Sequence, residues 1–240
     1  MRSKRAKSAR AIALVPAVVA LVLSLGLSQP ASAQDSLEPL SRPNLMTAMG
    51  LVEIESVEVS TDAGGAQLPF TLSLDLPTAD GLRIVPQDVP EDEGTVLAGF
   101  DFVTEDGVLA ETLLLTRAQV EIADPEARKF AMANLLVLRA FPALRESYPD
   151  ARMIGFGPIE RDDDLVAVQM VGSFTTGESA QIVFRQIGLM DDGSEDVIIA
   201  IIYVNTALLP VRNPADIANT YGGVATDSLR LTLSDATATE

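Results

Sequence analysis

The residue types that carry most enzyme chemistry are missing from this sequence. Neither histidine nor cysteine occurs among its 240 residues. Without histidine there is no imidazole base, no Ser-His-Asp triad and no histidine-ligated metal. Without cysteine there is no thiolate nucleophile, thiolate metal site or disulfide. Catalysis would have to use carboxylates, tyrosine, serine or Lys129. Because the residue types of most familiar active sites are absent, we predict no catalytic residue and no cofactor.

Two acidic clusters, each in a predicted turn, are the candidates for metal binding. Their members are Asp162, Asp163 and Asp164 in the first, and Asp191, Asp192, Glu195 and Asp196 in the second. Oxygen-rich turns can hold Ca²⁺, but neither cluster has the spacing of the twelve-residue calcium loop. Because aspartate is also an ordinary turn residue, we favour turns without metal and keep a weak surface calcium site as the alternative.

A carboxylate pair of the glycosidase type needs two acids held across a cleft, one of them with a pKa raised by burial. No acid stands isolated in an apolar run of residues 152–206, and tryptophan is absent. We therefore keep a hydrolase only as a remote alternative. Lys129 follows Arg128 in the first turns of a predicted helix, where a solvated side chain is the ordinary expectation.

Two further groups of residues have a functional and a structural interpretation. The segment Gly155-Phe156-Gly157-Pro158 resembles part of a phosphate loop but lacks the following Gly-Lys, which favours a bulged strand edge. Arg139, Arg145 and Arg152 form the nearest approach to a basic group. They could receive a carboxylate ligand or an acidic partner, although pairing with the protein's own acids is the favoured interpretation.

Residues 1–33 have the pattern of an export signal. Five basic residues between positions 2 and 10 precede the uncharged apolar run 11–27, and Ala31-Ser32-Ala33 is a suitable cleavage site. An uncleaved anchor is the alternative, but the run is short and contains Pro16. We predict a periplasmic or secreted protein without stable membrane insertion after cleavage. The full sequence has a net charge of −17. An acidic surface of this kind repels phosphate backbones, so nucleic-acid binding is not expected.

The remaining chain divides into an N-terminal extension (34–67), a single α+β domain (68–233) and a polar tail (234–240). Residues 45–67 are ambiguous between helix and strand. Residues 68–76 alternate apolar and polar side chains, which indicates a half-buried strand. Residues 96–104 and 108–116 flank Glu105-Asp106-Gly107, a hairpin signal.

Residues 152–206 predict an antiparallel meander. Its last strand, Val197–Val204, shows no alternation, so both of its faces must be covered and layers are expected on each side of the sheet.

Two helices, at about 124–147 and 213–230, are predicted to pack on this sheet. Asp124-Pro125 is a typical helix start. One broad face of this helix is predicted to pack on the sheet, because its members fall at helical spacing: Phe130, Asn134, Val137, Phe141, Leu144 and Tyr148, with Ala133, Leu136 and Ala140 beside them. Pro142 should break the hydrogen-bond ladder near 138–141. The second helix either continues through Gly222-Gly223, which we favour, or ends at Thr220 before a strand from Ser228.

This order of elements resembles that of the PsbP-like and DcrB-like exported proteins. The local cues are Phe70-Thr71-Leu72-Ser73-Leu74, Leu76-Pro77, Gly81, Gly157-Pro158-Ile159-Glu160 and Asp227-Ser228-Leu229-Arg230. The resemblance implies an α/β/α sandwich in an accessory or binding factor, and it transfers no functional residue.

Our hypothesis is a non-enzymatic exported accessory, binding or assembly factor that acts through its surface on an unknown protein partner. The alternative is a periplasmic carrier that holds a lipid or small apolar ligand between sheet and helix.

Overall fold

In a computed structural model, residues 54–59, 70–88, 95–177, 180–191, 194–209, 211 and 214–233 are described. The predicted export signal, most of the N-terminal extension and the polar tail lie outside these residues. The strands are β1 (Ile54–Val59), β2 (Phe70–Pro77), β3 (Leu82–Pro86), β4 (Val96–Thr104), β5 (Leu109–Gln119), β6 (Arg152–Ile159), β7 (Val166–Thr175), β8 (Gln181–Met190), β9 (Asp196–Asn205) and β10 (Arg230–Leu233). The helical segments are α1 (Pro125–Leu135), a π-helical turn (Leu136–Ala140), α2 (Phe141–Ser147), α3 (Pro214–Ile217) and α4 (Tyr221–Ser228).

A seven-stranded antiparallel sheet forms the centre of the fold. Its order is β3-β4-β5-β9-β8-β7-β6, so the meander predicted over 152–206 is confirmed. The β4–β5 hairpin is also present, and Gly107 in its turn has φ of +82°, a conformation that glycine adopts without steric cost. The central strand β9 lies between β5 and β8, and every residue of Val197–Val204 is buried.

One face of the seven-stranded sheet is covered by the helix layer, which we define as α1, the π-helical turn and α2. Asp124 caps α1 by accepting a hydrogen bond from the Ala127 amide at 2.8 Å. The ladder changes to π geometry over Leu136–Ala140, directly before Pro142. Proline has no N–H to donate to the carbonyl four residues earlier, and the predicted interruption is found at this point.

The residues of the helix layer that face the sheet differ in part from those expected. Met132, Leu136 and Leu144 are fully buried, whereas Phe130 is 69% exposed. Gly188 of β8 explains why Met132 and Leu136 face the sheet. Because glycine has no side chain, the Met132 and Leu136 side chains can approach the β8 backbone closely. Helical spacing identifies apolar stripes but does not decide which of two stripes meets the sheet.

The opposite face is covered by a three-stranded sheet, in the order β1-β2-β10, together with α4. The α+β class and the layers on both faces are therefore confirmed, but the second layer is part sheet and part helix. Residues 54–59, left ambiguous by the sequence, form a strand paired with β2. Strand β2 alternates as predicted and buries Phe70, Leu72 and Leu74.

The helix predicted over 213–230 is present in two pieces. The sequence alternatives are each right in part, because Gly222-Gly223 lie inside α4 while a strand, β10, follows from Arg230. Thr220 separates the pieces and caps α4 by accepting a hydrogen bond from the Gly223 amide at 3.2 Å. None of the helices among the described residues is long and apolar enough to cross a bilayer.

Candidate binding surface and buried polar groups

Large apolar side chains are exposed on the outer face of the helix layer. Phe130 is 69% and Leu138 is 63% exposed. Phe130 lies two residues before Met132, and Leu138 lies two residues after Leu136; both Met132 and Leu136 pack on the sheet. A separation of two residues corresponds to about 200° of helical rotation. Phe130 and Leu138 therefore point away from the sheet, where neither contributes to the core.

Two exposed arginines lie beside these apolar side chains. Arg139 follows Leu138 directly. Arg145 lies seven residues after Leu138, so Arg145 and Leu138 are on nearly the same side of the helix layer. Within the residues that the structure describes, neither arginine makes a hydrogen bond or an ion pair. Among the described acids, none pairs with Arg139, Arg145 or Arg152, so the expected pairing is absent within this part of the chain. We call Phe130, Leu138, Arg139 and Arg145 the outer helix surface.

The free edge of the seven-stranded sheet carries a second exposed apolar pair. Ile154 and Phe156 of β6 are 52% and 45% exposed. The pairing of β6 with β7 shifts register between Met153 and Gly155, so the predicted bulged strand edge is confirmed. Arg152 donates a hydrogen bond to Ser173 at 3.1 Å. Bulges of this kind limit uncontrolled pairing at an exposed edge.

A buried carboxyl group lies on the other side of the sheet. Glu111 of β5 is 1% exposed, and its Oε1 accepts a hydrogen bond from the Thr220 hydroxyl at 2.6 Å. Burial raises the pKa of Glu111 to about 7, although hydrogen bonds from Thr220 and from the Gly222 and Tyr221 amides lower it. The group lies at the N-terminus of α4, where the helix dipole favours negative charge.

Uncharged polar groups are buried under the helix layer. The Gln186 amide and the Tyr203 hydroxyl have no hydrogen-bond partner among the described residues. Burial, reinforced by nearby Tyr148, raises the pKa of Tyr203 above its usual range, so its phenol is protonated at neutral pH and acts as a donor.

The first acidic turn pairs with the protein's own arginines. Arg161 donates to Asp163 at 2.8 Å, and Arg230 lies 3.5 Å from Asp162. The Arg161 guanidinium lowers the pKa of Asp163. Asp164 has φ of 57°, a left-handed conformation that aspartate tolerates in turns.

The second acidic turn is described only in part. Asp196 receives hydrogen bonds from Arg117 at 2.8 Å and Gln119 at 3.4 Å, Glu195 is exposed, and Asp192 lies outside the described residues. Among those that are described, no three acids come together as a metal would require. A weak calcium site stays a prediction. Lys129 pairs with Glu126 at 3.0 Å, in keeping with a solvated helix face.

Sequence reasoning missed Glu111 and Gln186. A signal existed for both, since Glu111 lies between Ala110 and Leu113 in an apolar strand and Gln186 lies between two apolar segments of β8. Glu111 belongs to the hairpin that precedes the meander of residues 152–206.

Comparisons with known proteins give likeness of fold only. No family model matches the chain, and no curated protein matches it. It is similar to the solution structure of cyanobacterial PsbP from Synechocystis sp. PCC 6803, with 10% identity, a TM-score of 0.46, and coverage of 74% of this chain and 92% of that one. A PsbP protein is thus among the solved structures to which this chain is similar.

Two other solved structures are similar at the same level. The Ran-binding protein Mog1p of Saccharomyces cerevisiae has 13% identity and a TM-score of 0.39, over 77% of this chain and 97% of that one. LpqN of Mycobacterium tuberculosis, involved in cell envelope biogenesis, has 15% identity and a TM-score of 0.38, over 81% and 98%. Identities and TM-scores this low do not indicate a function for this chain.

Proposed function

We propose that this chain is a non-enzymatic, exported binding or assembly factor that engages a protein partner through its outer helix surface. The observation that carries the proposal is the exposure of Phe130 and Leu138 on the side of the helix layer that faces away from the sheet. Scattered exposed apolar residues need no explanation, but apolar residues rimmed by charge are typical of binding surfaces. Aromatic and arginine side chains are also enriched in such surfaces.

The charge of the molecule specifies the kind of partner. The whole chain carries −17, so two copies repel each other and self-association through this surface is disfavoured. Arg139 and Arg145 are exposed and unpaired on that acidic background within the described part of the chain, as is Arg83 on β3. A partner segment that combines apolar side chains with carboxylates complements both features of the surface.

Site-specific photo-crosslinking tests the location of the surface. A photoreactive amino acid replaces Leu138 in one variant and Val85 in a control variant. Val85 is also exposed, but it lies on β3, an edge strand of the seven-stranded sheet and not part of the helix layer. We expect a light-dependent adduct with a discrete protein at position 138 and not at position 85. Adducts only at position 85, or at neither position, would contradict the proposal.

Capture experiments test the chemistry of the same surface. The Phe130→Ser/Leu138→Ser variant should lose at least about tenfold in capture of the crosslinked partner, because each exposed anchor in an interface contributes on the order of 1 kcal/mol or more. Its melting temperature should not change, since both side chains are exposed. The Arg139→Glu/Arg145→Glu variant should weaken capture most at low salt. Equal capture by all variants would contradict the proposal.

Export is a separate part of the proposal and rests on residues 1–33. If the segment is a cleaved signal, the N-terminus of the protein recovered outside the cytoplasm is Gln34. N-terminal sequencing of the recovered protein measures this directly, and a Met1 terminus would contradict it.

A further inference from the structure

Among the described residues, three side-chain polar atoms of the sheet that have no hydrogen-bond partner face the helix layer. They are Nε2 and Oε1 of Gln186 and the hydroxyl of Tyr203. Gln186 is completely buried and Tyr203 is 5% exposed. Leaving a polar group buried without a hydrogen bond costs about 1–3 kcal/mol, so both ends of one amide and a neighbouring phenol together represent a large unfavourable term. Such groups in a folded protein call for a physical explanation.

The strand register places these two side chains together. Gln186 pairs with Ile201, and Tyr203, two residues further along β9, pairs with Phe184. Gln186 and Tyr203 thus occupy diagonal positions on the same face of neighbouring strands, with Cβ atoms roughly 7 Å apart. The two side chains do not hydrogen-bond to each other.

The surroundings of this polar pair are apolar. Across the sheet, Gln186 has Met170 on one side and Ile201 on the other. Along β8 its neighbours on the same face are Phe184 and Gly188. Beyond Met170 in the same row lies Phe156 of the edge strand, which is 45% exposed. Gln186 on β8 therefore lies two strands inward from the exposed edge strand β6, and Tyr203 on β9 lies three strands inward.

The helix layer forms the other wall. Above Gly188, a Cβ would lie 3.0 Å from Cγ of Met132 and 3.8 Å from Cδ1 of Leu136. Leu136 begins the π-helical turn, and π-helical turns inside α-helices are frequent at functional sites. At the far end, the Tyr148 ring lies 4.1 Å from that of Phe174, which contacts the Tyr203 ring edge-on at 6.0 Å.

We propose that Gln186 and Tyr203 bind the polar end of a small amphipathic ligand, a primary amide or a protonated carboxylic acid with an aliphatic chain. The Gln186 Nε2 and the Tyr203 hydroxyl donate to the ligand's carbonyl oxygen, while Gln186 Oε1 accepts from its N–H or O–H. The neighbours of Gln186 on this face, Phe184, Gly188, Met170 and Ile201, are uncharged. Because they offer a carboxylate no counter-ion, the neutral form is favoured.

The aliphatic chain would lie along the row from Met170 towards Phe156, where the edge of the sheet approaches solvent. Ordered water bridging Gln186 and Tyr203 is the rival explanation of the same polar atoms. It predicts no response to an amphipathic amide. The proposal is independent of the outer helix surface, whose residues point away from this site.

Nuclear magnetic resonance of the whole protein tests the proposal, with octanamide as the probe. The side-chain amide resonances of Gln186 are assigned by their loss in Gln186→Leu. We expect octanamide to shift them saturably in the wild-type protein. Octylammonium has the same number of carbon atoms but carries a charge and no acceptor, and it should leave these resonances unchanged.

The Tyr203→Phe variant should reduce the octanamide affinity about tenfold, since one hydrogen bond in a buried site contributes about 1.4 kcal/mol. If Gln186→Leu fails to fold, the resonances are assigned by selective labelling and Tyr203→Phe gives the decisive comparison. Unchanged Gln186 resonances at saturating octanamide, or exchange cross-peaks with bound water alone, would overturn the proposal. Equal affinity in Tyr203→Phe would overturn it as well.

Discussion

At the residue scale, Glu111 is the most unusual group in the described part of the molecule. Its carboxyl is fully buried, and only one of its oxygens is hydrogen-bonded, by Thr220 and the first amides of α4. Two effects oppose each other. Desolvation favours the neutral acid, whereas the helix N-terminus favours the carboxylate. Desolvation prevails, because the pKa is raised to about 7.

This raised pKa makes the stability of the fold depend on pH. The folded pKa of about 7 exceeds the reference value of 4.5, so Glu111 binds its proton more tightly in the folded state. Its contribution to the free energy of unfolding is complete below pH 4.5 and is lost as pH rises through about 7. A rise of this size corresponds to about 3 kcal/mol.

Glu111→Gln should remove this pH dependence while keeping an acceptor for Thr220. Denaturant unfolding between pH 4.5 and 8 measures it, and at pH 8 we expect the variant to be at least as stable as the wild-type protein. Glu126→Gln is the matched control, because the Glu126 side chain is 83% exposed. Parallel loss of stability in the wild-type protein and Glu111→Gln would count against the assignment.

At the element scale, α4 is held against β5 by a close approach that requires glycine. A Cβ on Gly222 would lie 2.8 Å from Oε1 of Glu111 and 3.1 Å from Cγ2 of Ile202. The same pair of glycines that weakens helix propensity therefore permits the packing. This is why α4 exists as an eight-residue helix despite Gly222-Gly223.

Gly222→Ala should consequently destabilise the protein, even though alanine favours a helix by about 1 kcal/mol over glycine. Overpacking typically costs about 1–3 kcal/mol, so we expect a net loss on the order of 1 kcal/mol in denaturant unfolding. Gly157→Ala is the control, because a Cβ there meets nothing within 4 Å. A Gly222→Ala variant as stable as Gly157→Ala would show that α4 does not pack this closely.

At the scale of the whole molecule, the fold is three layers organised around β9. Its successive residues Ile198 and Ile199 are 1% and 5% exposed, and they belong to cores on opposite faces of the sheet. A strand of this kind cannot lie at a surface, because either face would then place aliphatic side chains in water.

Truncating either side chain tests the layers separately. Ile198→Ala and Ile199→Ala should each lower the free energy of unfolding by about 2–5 kcal/mol, since each leaves a cavity in a packed core. Ile154→Ala is the control, because Ile154 is 52% exposed, and it should cost well under 1 kcal/mol. If one of the two core variants behaved like the control, the layer on that face would be incorrectly placed.

The interactions that decide the candidate sites are long-range. Thr220 and Glu111 are 109 positions apart, and Gly188 meets Met132 across the layers. No local pattern relates these residues. The sequence therefore indicated neither the Thr220 partner of Glu111 nor the contact of Met132 with Gly188. It also did not predict that Arg139 and Arg145 lie unpaired, among the described residues, beside exposed Leu138.

By itself the sequence determined the local features of this protein: the period-two alternation of β2, the hairpin turn at Gly107, the Asp124-Pro125 helix start, the break at Pro142 and the double-sided burial of Val197–Val204. Each depends on neighbouring residues and on the geometry of one element. Only the tertiary structure decided the three-stranded second sheet, the division of the last helix at Thr220 and the polar pair Gln186–Tyr203. These depend on which elements meet, and that choice is made by packing between residues far apart in the chain.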